Sequence, residues 1–493
     1  MESTKANIFL LFMLGFLTGV FGASVWCFSF FLGVSFLILG ALIMFADLHN
    51  SRKKWLFFIL LGIFLGGWRV DHDLKKIYLR TEKEFSGLVL VSKEPERKND
   101  YQQIEICPLI GGHYNCQEKY LINTVLYPEY QYGDQLEVSC LLKNPENRNE
   151  KFNYIRFLAK DNIYQICQKT RIKSKLEGDQ KMRLPIGSII KERIYLFKKS
   201  LEDKINLLFP QPESGYLAGL LLGGDDRLPK EAAENFRRTG TTHTVAVSGY
   251  NITILAQFLM ILGIMIGLWR QQAFYLAVSG IVIFVLAIGA PASAVRAAIM
   301  GGLILWANKK GRLAGSYRLI ILAGLIMVVF SPLSLLYDMG FQLSFLATLS
   351  IVSIYAPLAE KLGIKNDFSG IRSIFYVTIS AQLGVLGILI YSFESLSLIS
   401  LLANLIILPL VPYIMFFGFL TVLLSFPFFS AAKILTLPVW LALHLEIKII
   451  EHLAEYSWSI IKIENITWHW LFGYYVFLTL FIIWLKKERK SDR

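Results

Sequence analysis

The groups most able to do chemistry gather in one stretch of an otherwise apolar chain. It runs Gly219-Leu-Leu-Leu-Gly-Gly-Asp225-Asp226-Arg227 and then Glu234-Asn-Phe-Arg237-Arg238-Thr-Gly-Thr-Thr-His243-Thr-Val-Ala-Val-Ser248-Gly249-Tyr-Asn251. Acids, arginines, a histidine and a Ser-Gly break abut an apolar helix expected to start near Val245. Polar groups at a membrane boundary are costly, so they need a reason. An interfacial loop with its charges in water is the plain explanation; a pore mouth or a site is the sharper one.

Three chemistries are open to these residues. His243 and Ser248 could pair as base and nucleophile, and Ala246-Val-Ser248-Gly249 has a faint likeness to the Gly-x-Ser-x motif of intramembrane serine proteases. A nucleophile needs its base within hydrogen-bond reach. Residues five apart on a helix lie about 140° apart, so the pair would need a break at Gly249. More often, Ser-Gly in such a helix permits close packing. Asp225 and Asp226 could hold a hard cation, although a solvated turn explains adjacent acids more simply. Arg237, Arg238 and, further on, Arg296 could bind anions, because a guanidinium stays charged and forks onto phosphate. Arg296 stands in an apolar helix beside Ala297, Ala298 and Gly301-Gly302. Facing lipid it would be unfavourable by roughly 3 kcal/mol or more, so it is expected to face the protein interior. There it is either paired with an acid such as Asp338 or Asp225, or placed along a path.

The rest of the chain must position these groups in a membrane. Hydrophobic residues make up 54% of its 493 and aromatics 14%, and apolar runs of about 20 residues recur. The class is a polytopic α-helical membrane protein. Its charge of +13 argues only weakly for a nucleic-acid partner, since basic excess in membrane proteins collects in cytoplasmic loops. The seven histidines are scattered, with no His-x-His-x-Asp-His and no His-Glu-x-x-His, so no metal site or cofactor is expected. No Gly-x-x-x-x-Gly-Lys-Ser/Thr occurs either, which speaks against an ATPase.

Ile8–Phe21, Phe28–Phe45 and Trp55–Trp68 read as three membrane helices within an N-terminal region, 1–70. The Arg52-Lys53-Lys54 cluster places Ser51 inside the cell and the segment after Trp68 outside. From 82 to 170 the pattern changes to strands at Phe85–Val91, Tyr101–Cys107, Tyr120–Leu126, Gln135–Leu141 and Ile163–Cys167. A short helix, Phe152–Ala159, precedes the last. This suits an extracytoplasmic small β-barrel of OB type. Cys107 and Cys116 flank the Gly111-Gly112 turn, so a hairpin could join them, leaving Cys140 with Cys167. An outside location favours disulfides over buried free thiols.

The barrel itself is acidic, with 12 acids against 7 bases over 82–150, while 151–204 reverses this with 14 bases against 6 acids. The basic, amphipathic segment 171–224 carries Arg171, Lys173, Lys175, Lys181 and Arg183. It could track phosphates or lie on anionic lipid. Tyr216–Leu222 is too short to span and is expected to be interfacial or re-entrant.

The region 225–493 reads as the membrane body. Helices are expected at Val245–Leu268, Ala273–Ile288, Ala292–Trp306, Leu319–Phe330, Phe341–Tyr355, Ile374–Tyr391, a Pro409/Pro412-broken Leu398–Phe426, Leu435–Ile450 and Trp470–Leu485. Basic loops at Arg270, Lys309–Arg312 and Lys361–Arg372, and a basic tail from Lys486, should be cytoplasmic. Alternating crossings satisfy all of them if Thr242 starts outside. Gln342, Gln382 and Asn404 are uncharged polar groups in apolar helices, explained by interhelical hydrogen bonds at least as well as by a pore.

Several of these pieces carry a resemblance. Phe236…Gly240…His243-Thr-Val-Ala-Val-Ser248-Gly249-Tyr-Asn251 resembles the signature of the ComEC competence proteins. Three later motifs agree: Arg296-Ala-Ala-Ile-Met300, Asp338-Met-Gly-Phe-Gln342-Leu-Ser-Phe, and Ser397-Leu-Ile-Ser-Leu-Leu-Ala-Asn404 with Pro409 and Pro412 after it. The upstream hairpin, the barrel and Phe152-Asn-Tyr-Ile-Arg-Phe-Leu also look like that family's N-terminal domain. The resemblance implies an inner-membrane (plasma-membrane) channel for single-stranded DNA in natural transformation.

On that reading Arg237 and Arg238 gather phosphate at an outer mouth. The path runs past His243, Ser248, Asn251, Arg296, Asp338, Gln342 and Asn404. An outside DNA receptor and an inside ATP-driven motor would be separate chains, and a homo-oligomer is open. The longest relatives carry a C-terminal metallo-β-lactamase-like domain, proposed as a nuclease. This chain reads as a form without it, so strand degradation is expected from another polypeptide. Many members have a second histidine where this chain has Asn251, so a two-histidine role does not transfer. Two readings of other classes stand beside the channel: an intramembrane serine hydrolase using Ser248 and His243, and a membrane scaffold whose barrel binds another protein.

Overall fold

The computed structural model of the chain describes residues 2–26, 33–35, 37–38, 41–42, 51–78, 81–98, 100–111, 113–147, 152–176, 186–224, 227–245, 247, 249–309, 316–363, 371–463 and 465–491. The expected helix Phe28–Phe45 lies for the most part outside the described residues, as do Lys181, Arg183, Asp225, Asp226 and Ser248. The chain divides into two units, Met1–Ile189 with Ala307–Gln342, and Ile190–Trp306 with Leu343–Arg493.

Glycines set the first helix pair of the first unit. Helices Glu2–Val25 and Ser51–Tyr78 carry Gly15 and Gly19, and Gly62 and Gly66, at four-residue spacing. A Cβ at any of the four would run into the partner's backbone, at the carbonyls of Ile59, Ile63, Phe12 and Phe16 respectively. Small residues at this spacing let membrane helices meet backbone to backbone.

The barrel follows from strict alternation. Its strands are β1 (Lys83–Val91), β2 (Glu96–Arg97), β3 (Gln102–Ile110), β4 (His113–Tyr114), β5 (Lys119–Thr124), β6 (Gln135–Lys143) and β7 (Ile163–Lys175). Five of them close a ring in the order β1-β6-β7-β5-β3 and back to β1, with β5 and β7 parallel and the other pairs antiparallel. Val89, Val91, Ile104, Ile106, Ile122, Leu136, Val138 and Leu142 point inward at every second position and form the core. The five expected strands are thus present in a small closed barrel of the expected type. Both expected disulfides form, Cys107–Cys116 and Cys140–Cys167, with Cα atoms 4.8 and 5.5 Å apart.

One strand runs further than its sequence signal. β7 continues past Cys167 because Ile172 faces inward opposite Val138 while its basic neighbours face out. Arg171, Lys173 and Lys175 therefore lie on the barrel's last strand.

A short helix, Tyr154–Ala159, precedes β7 and is capped by Asn153, whose side chain accepts from the Arg156 N–H at 3.0 Å. It seats the barrel on the helices of its own unit. Arg156 donates to the Ser24 carbonyl at 2.7 Å and to the Tyr337 hydroxyl, and Tyr337 donates to the same Ser24 carbonyl at 2.9 Å. Lys160 pairs with Asp338 at 3.3 Å. Burial alone would lower the Lys160 ammonium, but Asp161 and Asp338 outweigh it and hold it above its ordinary value.

The second unit is built round a ten-residue helix, Glu213–Leu222, that is buried along its whole length. Tyr216–Leu222, expected to be interfacial or re-entrant, is enclosed by protein: the mostly apolar helix fills a core with Leu201, Ile205, Phe236, Ile254, Met415 and Leu443 around it. Helix Ile186–Leu208 turns Leu201 and Ile205 to that core, and Lys198, one turn before Leu201, is buried as well.

Seven helices among the described residues are long and apolar enough to span: Ile8–Val25, Trp55–Ile77, Thr242–Met265, Arg270–Ala287, Met339–Lys361, Arg372–Phe393 and Trp468–Leu485. Ser400–Ile407 and Val411–Leu424 form a broken pair bent by 48° between Pro409 and Pro412. Shorter apolar helices include Ala292–Leu303. The chain is a polytopic α-helical membrane protein with a small β-barrel.

Candidate functional site

The polar stretch folds as a relay of short helices in the second unit. Helix Lys230–Arg238 ends at Gly240, which has φ +67°. The Gly240 and Thr241 N–H groups close back onto the Arg237 and Phe236 carbonyls at 3.1 and 2.9 Å, the αL termination that glycine favours. A Cβ at Gly240 would lie 2.7 Å from Ser400 Cβ and 3.1 Å from Ser397 Cβ. Ser397 Oγ also donates to the Arg238 carbonyl at 2.8 Å, and Gln382 donates to Ser400 Oγ at 3.1 Å. The first motif thus rests directly on the fourth.

Past this turn come helices Thr242–Val245 and Gly249–Met265. The break between them is tied down when Ser293 Oγ donates to the Val247 carbonyl at 2.7 Å. His243 is exposed, with Nδ1 3.2 Å from the Gly240 carbonyl. Asn251 is buried and donates to the Leu220 carbonyl at 3.2 Å.

Arg296 reaches toward the same break. It lies on helix Ala292–Lys309, and its Nε donates to Ser344 Oγ at 2.7 Å. Nη1 donates to Thr348 Oγ1 and sits 3.8 Å from Met300 Sδ. The guanidinium carbon stands 5.9 Å from the centre of the Phe345 ring, at the edge of cation–π range. Nη2 points at Gly249: a Cβ there would lie 3.0 Å from it. Among the described residues no carboxylate pairs with this half-buried arginine. Ser344 and Thr348 come from helix Met339–Ser350, which continues through a widened turn, Ile351–Tyr355. Sequence reasoning missed both hydroxyls, because Ser and Thr in an apolar helix look like packing residues.

Of the remaining candidates, Asp338 and Gln342 belong to the first unit and bond within it. Asp338 accepts from the Phe341 N–H at 3.1 Å and pairs with Lys160, while Gln342 donates to the Leu335 and Leu336 carbonyls at 3.2 and 2.7 Å. Arg237 is exposed and forks onto Glu234 at 2.7 and 2.8 Å. Those bonds hold the Glu234 carboxyl below its ordinary value. Arg238 is half-buried. Asn404 is buried, and its side-chain oxygen has no hydrogen-bond partner among the described residues. On the barrel, Lys173 pairs with Glu137 at 3.0 Å and Lys175 with Asp134 at 2.8 Å, while Arg171 is exposed.

The comparisons bear on the second unit above all. The family model described as "Competence protein" matches residues 220–488. This chain belongs to the competence protein family. The match takes in all of Arg237–Asn251, Arg296–Met300, Asp338–Phe345 and Ser397–Asn404, so the three motifs that meet at Gly240 and Gly249 are family territory. A similar curated protein is "ComE operon protein 3" of Bacillus subtilis (strain 168), 26% identical over 270 residues, which is 54% of this chain and 32% of that protein. The chain thus aligns with about a third of that relative's length. No solved structure matches the chain.

Proposed function

We propose that this competence protein acts in DNA uptake as the membrane channel that passes single-stranded DNA into the cytoplasm. The observation that carries the reading is Arg296. It is a permanent cation on an apolar helix, inside the family's matched region, held by two hydroxyls and by no carboxylate among the described residues. A charge of that kind is costly in a membrane unless a passing anion uses it. The phosphodiester backbone supplies one negative charge per nucleotide.

The topology that agrees with the loop charges puts the barrel and the 242–251 stretch outside the plasma membrane and the C-terminus inside. The domains then act in sequence. The 82–170 barrel and the basic segment 171–224 receive the strand, the latter through Arg171, Lys173 and Lys175 and its Lys181 and Arg183. Region 225–493 conducts it past Arg238, His243, Ser248, Asn251 and Arg296. An ATP-driven motor inside would pull the strand and a receptor outside would deliver it, each on its own chain. A homo-oligomer fits this scheme as well as a monomer.

The test is nuclease-resistant uptake of labelled DNA in cells with and without the protein. Loss of protected label with unchanged surface-bound label supports the channel. Equal protected label in both strains would sink it.

A further inference from the structure

Arg296 is unusual less for its position than for the company it keeps. Half-buried charges are normally neutralised by a partner of opposite sign. Here both groups that hold the guanidinium are neutral. Ser344 Oγ takes Nε at 2.7 Å, and Thr348 Oγ1 takes Nη1. Thr348 spends its own proton on the Ser344 carbonyl at 2.8 Å, so its oxygen is free to accept. The two hydroxyls lie one helical turn apart on the same face, which is what two nitrogens of one planar fork require.

This arrangement fixes the arginine's direction without cancelling its charge. It also leaves donors over. Among the described residues, Nη2 and the Ser344 O–H have no acceptor. Nη2 faces Gly249, where a Cβ would lie 3.0 Å from it.

We propose that Ser344 and Thr348 are positioning residues that keep Arg296 as an open, single-charge step for phosphodiester. A backbone phosphate at this step would accept from Nη2. The inference rests on the channel reading and deepens it: it names the group of the strand that is recognised and the reason this arginine has no acidic partner among the described residues. One cation against one monoanionic phosphodiester gives a contact that forms and releases. Conduction needs that, because a site that binds too well does not pass its cargo. The widened turn at Ile351–Tyr355, in the same continuous helix just beyond Thr348, is the kind of irregularity found next to functional sites.

Two substitutions separate this role from packing. Ser344→Asp places a carboxylate where Nε now meets a hydroxyl and closes the charge. Protected DNA uptake is expected to fall about tenfold or more, since a charge-assisted contact is worth about 1.5–3 kcal/mol. Ser344→Asn keeps a neutral acceptor and should stay within about threefold of wild type. Membrane abundance of both variants is measured alongside. If Ser344→Asp takes up DNA like wild type, or if Ser344→Asn fails as badly, the open-charge step is wrong. Protein-dependent uptake by the unaltered chain would still leave the channel reading in place.

A second measurement needs no variant. In the purified full-length protein, phenylglyoxal modification of Arg296 is followed by mass spectrometry. Oligothymidylate and an abasic phosphodiester oligomer should both slow it, and a methylphosphonate oligomer of the same length should not. Equal slowing by the uncharged backbone, or none by any of the three, overturns the proposal.

Discussion

The barrel and the Arg296 site treat positive charge in opposite ways. In the barrel, Lys93 lies between Glu96 and Glu105, Lys119 shares Glu105, Arg97 meets Glu129, and Lys173 and Lys175 meet Glu137 and Asp134. These are mostly exposed pairs, each worth a few tenths of a kcal/mol, and they leave little net field. At Arg296 a single charge sits among hydroxyls, sulfur and an aromatic ring. The first pattern holds a fold and stays soluble. The second keeps a charge available in a place where it is expensive. On the proposed reading the barrel's paired charges serve mainly its structure, while the exposed Arg171 and the open Arg296 meet phosphate.

The comparison can be broken at several strengths. Removing the barrel's inner staple should act on structure most. Cys140→Ser with Cys167→Ser opens a 27-residue separation, and about 3 kcal/mol of barrel stability should go with it. Limited proteolysis of the purified protein with and without reductant measures that. Asp338→Asn comes next. It weakens a helix cap and an ion pair with Lys160, so the joint within the first unit should loosen by about 1–2 kcal/mol. DNA uptake per membrane-inserted molecule should stay within about twofold. A collapse of uptake at normal abundance would return Asp338 to the path.

On the barrel surface Arg171 is exposed while Lys173 and Lys175 are paired. Arg171→Ala should weaken capture of single-stranded DNA about threefold, with a shallower salt dependence. Lys173→Ala should change it less. The reverse order would show that paired lysines are recruited on binding.

The smallest effect is one of pH. Burial alone would raise the Glu96 carboxyl, but Lys93 and Lys98 outweigh it and hold it below its ordinary 4.5. A depressed carboxyl stabilises above its unfolded pKa, and the contribution is lost as pH falls through the folded value. Barrel stability should therefore drop slightly below about pH 4.5, by a few tenths of a kcal/mol for so exposed a group. Glu96→Gln should remove that drop in a pH-dependent melt.

Much of the fold was legible because it obeys short-range rules. Alternation gave the barrel strands, and cysteines at strand ends gave both disulfides. Long apolar runs gave the spans, and two prolines marked the bend after Asn404. The buried helix Glu213–Leu222 was not legible as core. Its ten residues look too short to span, and nothing local says that other helices will surround them. Asp338 illustrates the same limit from the other side. Its type and motif pointed to a path, but its neighbour Lys160 comes from a distant part of the chain, and its cap on Phe341 needs backbone geometry. Ser344 and Thr348 were hidden because a hydroxyl in an apolar helix has many uses. Only the reach of Arg296 singles out this one.

The most direct measurement compares nuclease-protected uptake of labelled DNA through Arg296, Arg296→Gln and Arg296→Lys proteins at matched membrane abundance. The account predicts a large loss for glutamine, about a hundredfold for a buried charge-assisted contact of about 3 kcal/mol, with partial activity for lysine, which keeps the charge but not the fork. Surface-bound label should be unchanged in all three. Wild-type uptake through Arg296→Gln would contradict the account, and the open charge would then need another explanation.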